Sequence, residues 1–233
     1  MDPPDRGRLY GRARAVRGAL GVALVLGLAV EAALPASAAP PAPVRRRAVP
    51  SPAPLVDEGP LEAVLETAEG SFVIRLLADV APRHVRHFVK TARTGGFDGT
   101  TFHRIVPRGI IQGGDPLSKD PAKKALYGTG GLGLLKAEFS ARPMTRGSVA
   151  AVLRPSSPDS AGNQFFVVLS DQPSLTGKFT IFGEVTSGMD VVDRIGETPV
   201  DGDKPQRRVV IQKVTIRALA GAPAPPPSPS PVP

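Results

Sequence analysis

A succession of short apolar segments separated by turn residues constrains the fold of this chain more than any other feature. Leu61–Thr67 and Ser71–Leu77 alternate apolar and polar residues around Glu69-Gly70, which is typical of a β-hairpin. Further segments of the same kind follow at Thr100–Val106, Ile110–Gly113, Gly147–Leu153, Phe165–Leu169, Phe179–Val185 and Val209–Arg217. About eight short strands joined by turns predict a mainly β fold, closed into an antiparallel barrel.

Two helices are predicted to accompany the strands. Asp79 is placed to cap the first helix and Pro82 suits its first turn, while Gly95-Gly96 marks its end. A second, shorter helix is predicted near Met189–Ile195. We therefore expect a closed eight-stranded antiparallel barrel capped by two α-helices.

The segments that flank this region have compositions that do not form a core. Residues 39–60 are rich in Pro, Ala and Arg, and residues 220–233 are dominated by Pro. Both compositions favour extended polyproline conformations and cannot bury an apolar interior. The folded part is therefore predicted to be residues 61–219, which is a single-domain length.

Residues 1–38 have the composition of a secretory signal peptide. Five arginines precede an apolar run at Gly18–Val30, and Ala36-Ser37-Ala38 follows as a cleavage site. The apolar run has 13 residues, which is shorter than the roughly 20 that a membrane-spanning helix needs. The sequence therefore predicts a periplasmic or secreted protein, and an uncleaved N-terminal membrane anchor is the alternative.

The net charge of +8 does not indicate a nucleic-acid-binding protein. Three of the positive charges are Arg45, Arg46 and Arg47 in the Pro-rich segment, and no basic patch is interleaved with stacking aromatic residues. This arginine run is interpreted as a solvated linker, with weak contact to an anionic membrane surface as the alternative. The chain has no Cys, which excludes disulfides, thiolate nucleophiles and cysteine metal sites. We expect no cofactor and no metal.

Three short motifs carry the chemical groups from which a function can be argued. They are Phe102-His103-Arg104, Gln112-Gly113-Gly114-Asp115 and Gln164-Phe165-Phe166. Together they supply one arginine, two glutamines and several aromatic rings, with no nucleophile near them. Such groups suit the binding of an apolar peptide and the polarisation of one of its amides. The motifs therefore indicate a conformational reaction on a polypeptide.

Other features have simpler interpretations than the activities they suggest. His84 and His87 could share a metal, but a solvated helix face is the preferred interpretation. The segment Gly128–Gly133 matches a dinucleotide fingerprint without the preceding strand and following helix, so a flexible loop is expected. Phe165 alternates with its neighbour along a strand and is expected in the core. The alternative role for Arg104 is that of a structural ion-pair partner.

The order of the motifs resembles that of the cyclophilin family of peptidyl-prolyl cis-trans isomerases. The resemblance covers residues 61–217 and rests on the segments TFHRIVPRGIIQGGDP, GTGGLG followed by AEFS, RGSVA, SPDSAGNQFFV, LTGKFTIFGEV and GMDVVDRI. It implies an eight-stranded antiparallel barrel with an active groove on its outer face, which agrees with the strand count above. It also implies isomerisation of X-Pro bonds in proline-containing polypeptides, here to assist the folding of extracytoplasmic proteins. We expect a monomer.

Carried over position by position, the resemblance makes Arg104 the catalytic arginine and Gln112 the residue that orients it and contacts the substrate backbone. Substrate-binding roles are implied for the residues around them: Phe102, His103, Ile110, Val152, Gln164, Phe166, Leu175 and Phe179. Among these, Phe166 corresponds to the floor of the proline pocket, and His103 is not expected to transfer a proton.

Three positions depart from the family's pattern. Gly109 stands where an aromatic wall residue is usual, Ser174 where some members have Trp, and Phe179 where animal members have His. Loss of a Phe wall can remove roughly 1.5 to 3 kcal/mol of apolar burial, which corresponds to tens to hundreds of fold in activity. The alternative function is therefore a proline-segment binding module, or a chaperone with weak or no isomerase turnover.

Overall fold

The computed structural model of this chain describes residues 59–219. The predicted signal peptide, the linker up to residue 58 with its arginine run, and the tail at 220–233 lie outside the described residues. Within residues 59–219, no helix combines the length and the apolar composition that crossing a membrane requires.

Short strands dominate the described residues, as the sequence predicts. The eleven strands found in residues 59–219 are β1 (Leu61–Thr67), β2 (Gly70–Leu76), β3 (Thr101–Phe102), β4 (Arg104–Val106), β5 (Ile110–Gly113), β6 (Ser148–Ala151), β7 (Phe165–Val168), β8 (Ile181–Ser187), β9 (Val200–Asp201), β10 (Lys204–Pro205) and β11 (Val209–Ala218). The α-helices are α1 (Pro82–Arg93) and α2 (Met189–Gly196). Short 3-10 helices lie at Pro116–Lys119, Pro121–Leu126 and Pro173–Leu175.

The barrel is closed by one segment that pairs at both of its ends. Nine strands form an antiparallel sheet in the order β3-β11-β1-β2-β8-β6-β7-β5-β4. Its two end strands, β3 and β4, are successive parts of one segment, interrupted only at His103, where the pairing partner changes from β11 to β5. The continuous strand predicted at Thr100–Val106 is therefore divided. If β3 and β4 are counted as one strand, the sheet has eight strands, and the predicted barrel is confirmed. The β9–β10 hairpin was not predicted.

Alternate residues of β5 to β8 contribute to two separate apolar clusters, as the two-residue period of a strand requires. The barrel interior contains Ile111, Val149, Phe165 and Phe182. The outer face carries their sequence neighbours Ile110, Ala150, Phe166 and Ile181, which we call the outer cluster. The prediction that Phe165 lies in the core is confirmed, because the residue is 1% exposed.

Helix α1 begins without the predicted cap. Ala81 occupies the N-cap position and makes no capping side-chain hydrogen bond, so the prediction for Asp79 is wrong. Instead, the carboxylate of Glu138 accepts hydrogen bonds from the backbone N–H groups of Arg83 (3.1 Å) and His84 (3.0 Å). These donors have no partner within the helix, and Glu138 satisfies them from the loop before β6. A cap supplied from so far along the chain leaves no local sequence signal.

The histidines of α1 do not form the solvated face that the sequence suggests. His84 is 3% exposed, and its Nδ1 lies 2.6 Å from Glu138 Oε2. Nε2 of His87 lies 2.7 Å from Asn163 Oδ1. Both histidines therefore tie α1 to loops, one preceding β6 and the other following it.

Candidate active site

One row of side chains crosses the outer face of the barrel from β4 to β6. Arg104 is the register partner of Gln112, Gln112 of Phe166, and Phe166 of Ala150. Directly opposed residues of an antiparallel pair have Cβ atoms roughly 4.5 to 5.5 Å apart. The register therefore places a guanidinium, an amide and an aromatic ring side by side, although their residues are far apart in the chain.

The aromatic end of the row is an apolar slot, which we define by Phe166 and its neighbours Ile110, Leu175 and Phe179. Phe166 is 3% exposed, and its ring meets that of Phe179 edge-on at a centroid distance of 5.3 Å. The three neighbours are only partly buried against the outer cluster. A proline ring that packs on them removes apolar surface from water, which favours binding by about 25 cal/mol per Å².

A chain of hydrogen bonds fixes the orientation of the two glutamine amides. Nε2 of Gln164 donates to the Gly130 carbonyl at 2.7 Å, so its Oε1 accepts from Nε2 of Gln112 at 3.0 Å. Gln112 in turn presents its own Oε1 to Arg104 and accepts from Nη1 at 3.3 Å. Because a carbonyl can only accept, the backbone at Gly130 sets the direction of the whole chain.

A carboxylate that sequence reasoning missed holds the other side of the guanidinium. Asp203 Oδ2 lies 2.6 Å from Nε of Arg104. Asp203 lies in the turn of the β9–β10 hairpin, and its carbonyl accepts from the N–H of Ile105 at 2.8 Å, which joins the hairpin to β4. Arg104 is thus an ion-pair partner, as the alternative interpretation held, and it also stands in the same row as Phe166, two strands away. Its side chain is 42% exposed, and Asp203 and Gln112 engage two of its five N–H donors, which leaves the others for a bound amide.

Three of the predicted substrate-binding residues are buried behind the groove. Gln164 is 0% exposed, and its amide contacts that of Gln112. Phe102 is 1% exposed, and its ring packs with other Phe rings in the barrel interior. His103 is buried as well, and this burial lowers its pKa below the ordinary value, so the ring is neutral at pH 7. These three residues support the site, and the substrate-contact roles expected for them stay predictions.

A small residue that the sequence analysis did not name lies next to the slot. Ala150 lies directly opposite Phe166 across β6 and β7. The substrate-binding role expected for Val152 stays a prediction. Val152 is partly buried at the edge of the outer cluster, and its N–H donates to the Gln164 carbonyl at 3.0 Å. The alternation of β6 could have indicated Ala150, because it shares the outer face with Phe166.

Gly109 lies in the turn between β4 and β5 and leaves one wall of the slot without an aromatic ring. Its N–H donates to the Val106 carbonyl at 2.9 Å, and a Cβ at this position would lie 3.0 Å from Val106 Cγ1. Phe179 provides an aromatic ring to the slot from the segment before β8. The slot therefore has an aromatic wall at Phe179 and none at Gly109.

The glycine-rich loop at Gly128–Gly133 contacts the site through Gly130, whose carbonyl accepts from Gln164. The carboxylate of Asp115 accepts hydrogen bonds from the N–H groups of Gly128 and Gly130, at 2.5 and 3.3 Å. A 3-10 helix at Pro121–Leu126 precedes the loop, where a dinucleotide fingerprint requires a strand. The loop therefore holds the end of the glutamine chain in place.

The chain is similar to proteins of one family. Residues 63–216 match the family model described as "Cyclophilin type peptidyl-prolyl cis-trans isomerase/CLD". A peptidyl-prolyl cis-trans isomerase of Arabidopsis thaliana is 35% identical over 158 residues, which cover 67% of this chain and 94% of that protein. A probable peptidyl-prolyl cis-trans isomerase of Brucella suis is 40% identical over 137 residues, which cover 57% of this chain and 69% of that protein.

A similar fold has also been solved. The crystal structure of a cyclophilin-type peptidyl-prolyl cis-trans isomerase of Cryptosporidium parvum, in the presence of the dipeptide Ala-Pro, matches with a TM-score of 0.61 and 25% identity. The match covers 68% of this chain and 99% of that one.

Proposed function

The chain belongs to the cyclophilin-type peptidyl-prolyl cis-trans isomerase family and is an enzyme of that class, and we propose that it acts on proline-containing polypeptides outside the cytoplasm. The observation that carries the mechanism is the register that places Arg104 two strands from Phe166, with Gln112 between them. The similar structure from Cryptosporidium parvum, solved in the presence of Ala-Pro, supports the substrate class.

The reaction requires rotation about a bond and no bond cleavage. The planar amide has a rotational barrier of roughly 18 to 20 kcal/mol, because rotation breaks its resonance. Uncatalysed exchange takes about 10 to 100 s, so a turnover of about 1 to 1,000 per second requires about 1.4 to 7 kcal/mol of transition-state stabilisation. Stabilisation of this size does not require a covalent intermediate.

Arg104 supplies stabilisation that is greatest midway through the rotation. As resonance is lost, the prolyl nitrogen becomes a better hydrogen-bond acceptor, and the free guanidinium donors bond to it or to the neighbouring carbonyl. A preorganised donor of this kind contributes roughly 2.7 to 4 kcal/mol. Asp203 and Gln112 hold the guanidinium before the substrate arrives, and the slot grips the proline ring.

A protease-coupled assay on a short Ala-Pro peptide tests this function. We expect a rate above background that depends on enzyme concentration. The second candidate is a proline-segment binding module or holdase, which Gly109 favours because it removes an aromatic wall from the slot. Peptide binding without any acceleration of isomerisation would support that second candidate.

The extracytoplasmic location rests on the sequence of residues 1–38, which lie outside the described residues. Intact mass spectrometry of the protein from its native cells tests it, and we expect a mature N-terminus at residue 39. A chain that retains Met1 and fractionates with membranes would indicate the anchored alternative. Contact of Arg45, Arg46 and Arg47 with anionic lipid stays a prediction, to be tested by sedimentation with anionic vesicles. The expected monomer is checked by light scattering.

A further inference from the structure

A cavity of about 310 Å³ adjoins Arg104 and excludes the aromatic residues of the slot. Its walls come from the Thr101–Arg104 segment, the 3-10 helix at Pro121–Leu126 and the chain from Asp203 to Arg208. It shares Arg104 and Gln112 with the row described above. A polypeptide bound across the row therefore meets the slot on one side of Arg104 and this cavity on the other.

The cavity is lined by five cationic side chains and one carboxylate. The cations are Arg104, Lys124, Lys204, Arg207 and Arg208, and the carboxylate is Asp203. Arg104 is paired with Asp203, and Arg207 with Glu69 at 2.7 Å. The other three cations have no carboxylate partner within residues 59–219. The cavity thus has a strong excess of positive charge.

Arg208 is held in place by uncharged groups. Its Nη1 donates to the Tyr127 hydroxyl at 3.1 Å, and its Nη2 donates to the carbonyls of Ser118 and Lys119 at 3.1 and 3.3 Å. The Tyr127 hydroxyl donates to the Asp120 carbonyl at 2.9 Å, which fixes the ring as well. A guanidinium fixed by neutral partners keeps its charge for a ligand and loses little side-chain freedom when the ligand binds.

Two aromatic rings, those of His103 and Tyr127, also border the cavity. His103 is 9% exposed and borders the cavity, and its Nε2 has no hydrogen-bond partner in the described part of the chain. Its ring meets that of Tyr127 edge-on at 6.3 Å. Two rings beside three cations suit a ligand with a short apolar stem and an anionic head.

From this chemistry, and resting on the isomerase function above, we propose that the cavity is a subsite for an acidic side chain of the substrate polypeptide. The distance sets its position relative to the proline. Arg104 lies two strands, roughly 10 Å, from Phe166, and an extended chain advances about 3.3 Å per residue. The acidic residue is therefore about two to four residues from the proline, and the enzyme prefers clients with Asp or Glu at that distance.

Paired peptides test the proposal. Each pair carries an Ala-Pro bond and differs only by Glu or Gln at one position, scanned two, three and four residues from the proline on both sides. Isomerisation is followed for the full-length protein by NMR exchange, which needs no coupling protease. At one of these positions we expect a Glu-to-Gln ratio of kcat/KM of about three to ten, because several partly exposed charge pairs act together.

The variants use exposed lysines, so that folding is preserved. In K124Q/K204Q we expect the Glu-to-Gln ratio to fall to about half of the wild-type value or less, because two of the three cations without a carboxylate partner in the described residues are removed and Arg208 keeps its charge. The matched control is K90Q/K213Q, which removes the same charge from exposed positions outside the cavity and should keep the wild-type ratio.

The outcomes separate this subsite from the isomerase function. Isomerisation of the Gln peptides with a ratio of one at every position would overturn the subsite and leave the function intact. A Glu-to-Gln ratio that falls equally in both double variants would show that the preference comes from long-range electrostatic attraction, and this result would also overturn the subsite. Failure to isomerise any peptide would contradict the proposed function itself.

Discussion

Gln164 is the residue whose replacement tests how the site is preorganised. It is fully buried, and it joins the Gly130 carbonyl to the amide of Gln112. Leu has a similar size but can neither donate to that carbonyl nor accept from Gln112. In Gln164→Leu, two buried polar groups lose their partners, and Gln112 is free to turn its amide away from Arg104.

The distances set the size of each effect. Each buried polar group without a partner costs about 1 to 3 kcal/mol, so for the two groups we expect the free energy of unfolding to fall by about 2 to 6 kcal/mol. The bond from Arg104 to Gln112 is long, at 3.3 Å, and Asp203 still holds Nε. Looser orientation of the guanidinium should therefore lower kcat/KM by only about three- to tenfold, or roughly 0.7 to 1.4 kcal/mol.

Two measurements on the same samples give these quantities, namely urea unfolding and the isomerase assay on an Ala-Pro peptide. The control is Thr67→Val, which removes the hydrogen bond from Oγ1 to the Gly70 carbonyl (2.8 Å) in the β1–β2 hairpin, far from the groove. It should lower stability and leave kcat/KM unchanged.

Either of two results would refute the reasoning. A kcat/KM within twofold of wild type, despite the loss of stability, would show that the glutamine chain does not orient Arg104. A loss of more than a hundredfold would show that Gln164 contacts the reacting bond directly, in spite of its burial.

Three further predictions follow from the structure. Phe179→Ala removes the ring that meets Phe166 edge-on. It should lower kcat/KM by about five- to fiftyfold, mainly by raising KM, because the proline ring loses apolar contact. An unchanged KM in steady-state kinetics would exclude Phe179 from the slot. Glu138→Ala leaves the first N–H groups of α1 and the ring of His84 without an acceptor. Urea titrations should show the free energy of unfolding lowered by about 2 to 4 kcal/mol, and a loss below about 0.5 kcal/mol would contradict this role of Glu138. Burial lowers the pKa of His84 and of His103 below the ordinary 6.5, so the unfolded chain binds protons at a higher pH than the folded chain does. The free energy of unfolding should therefore decline as the pH falls below 6.5. A free energy of unfolding that stays constant from pH 7 to pH 5 would contradict this sign.

Much of the architecture could be predicted from local pattern. The two-residue period of β7 separated Phe165 in the core from Phe166 on the groove, and this assignment holds in the structure. The motif around Arg104 and Gln112 contains both partners of a short hairpin, so their adjacency follows from β4 pairing with β5.

The partners of these residues could not be predicted, because they come from distant loops. Asp203 reaches Arg104 from a hairpin 99 positions further along the chain, and the turn sequence around it indicates only a turn. Glu138 caps α1 from the loop before β6, whereas local capping rules pointed to Asp79. Periodicity gives the face on which a side chain lies, but closure of the barrel decides which loops meet there.

The same limit explains the burial of Gln164 and His103. Both are polar residues beside groove motifs, where the sequence favours exposure to a substrate. In the fold, the Gly128–Gly133 loop accepts the hydrogen bond of Gln164, and His103 is part of the cavity wall. Their roles depend on a loop whose sequence specifies flexibility and whose contacts with Asp115 fix it.

The most direct test of the mechanism is the rate at which Arg104→Ala isomerises an Ala-Pro peptide, compared with Arg194→Ala, which removes an arginine from an exposed ion pair on α2. NMR exchange should show kcat/KM for Arg104→Ala reduced about a hundred- to a thousandfold, since about 2.7 to 4 kcal/mol of donor stabilisation is lost, while Arg194→Ala keeps the wild-type rate. A folded Arg104→Ala protein within tenfold of wild type would show that the guanidinium does not stabilise the rotating bond.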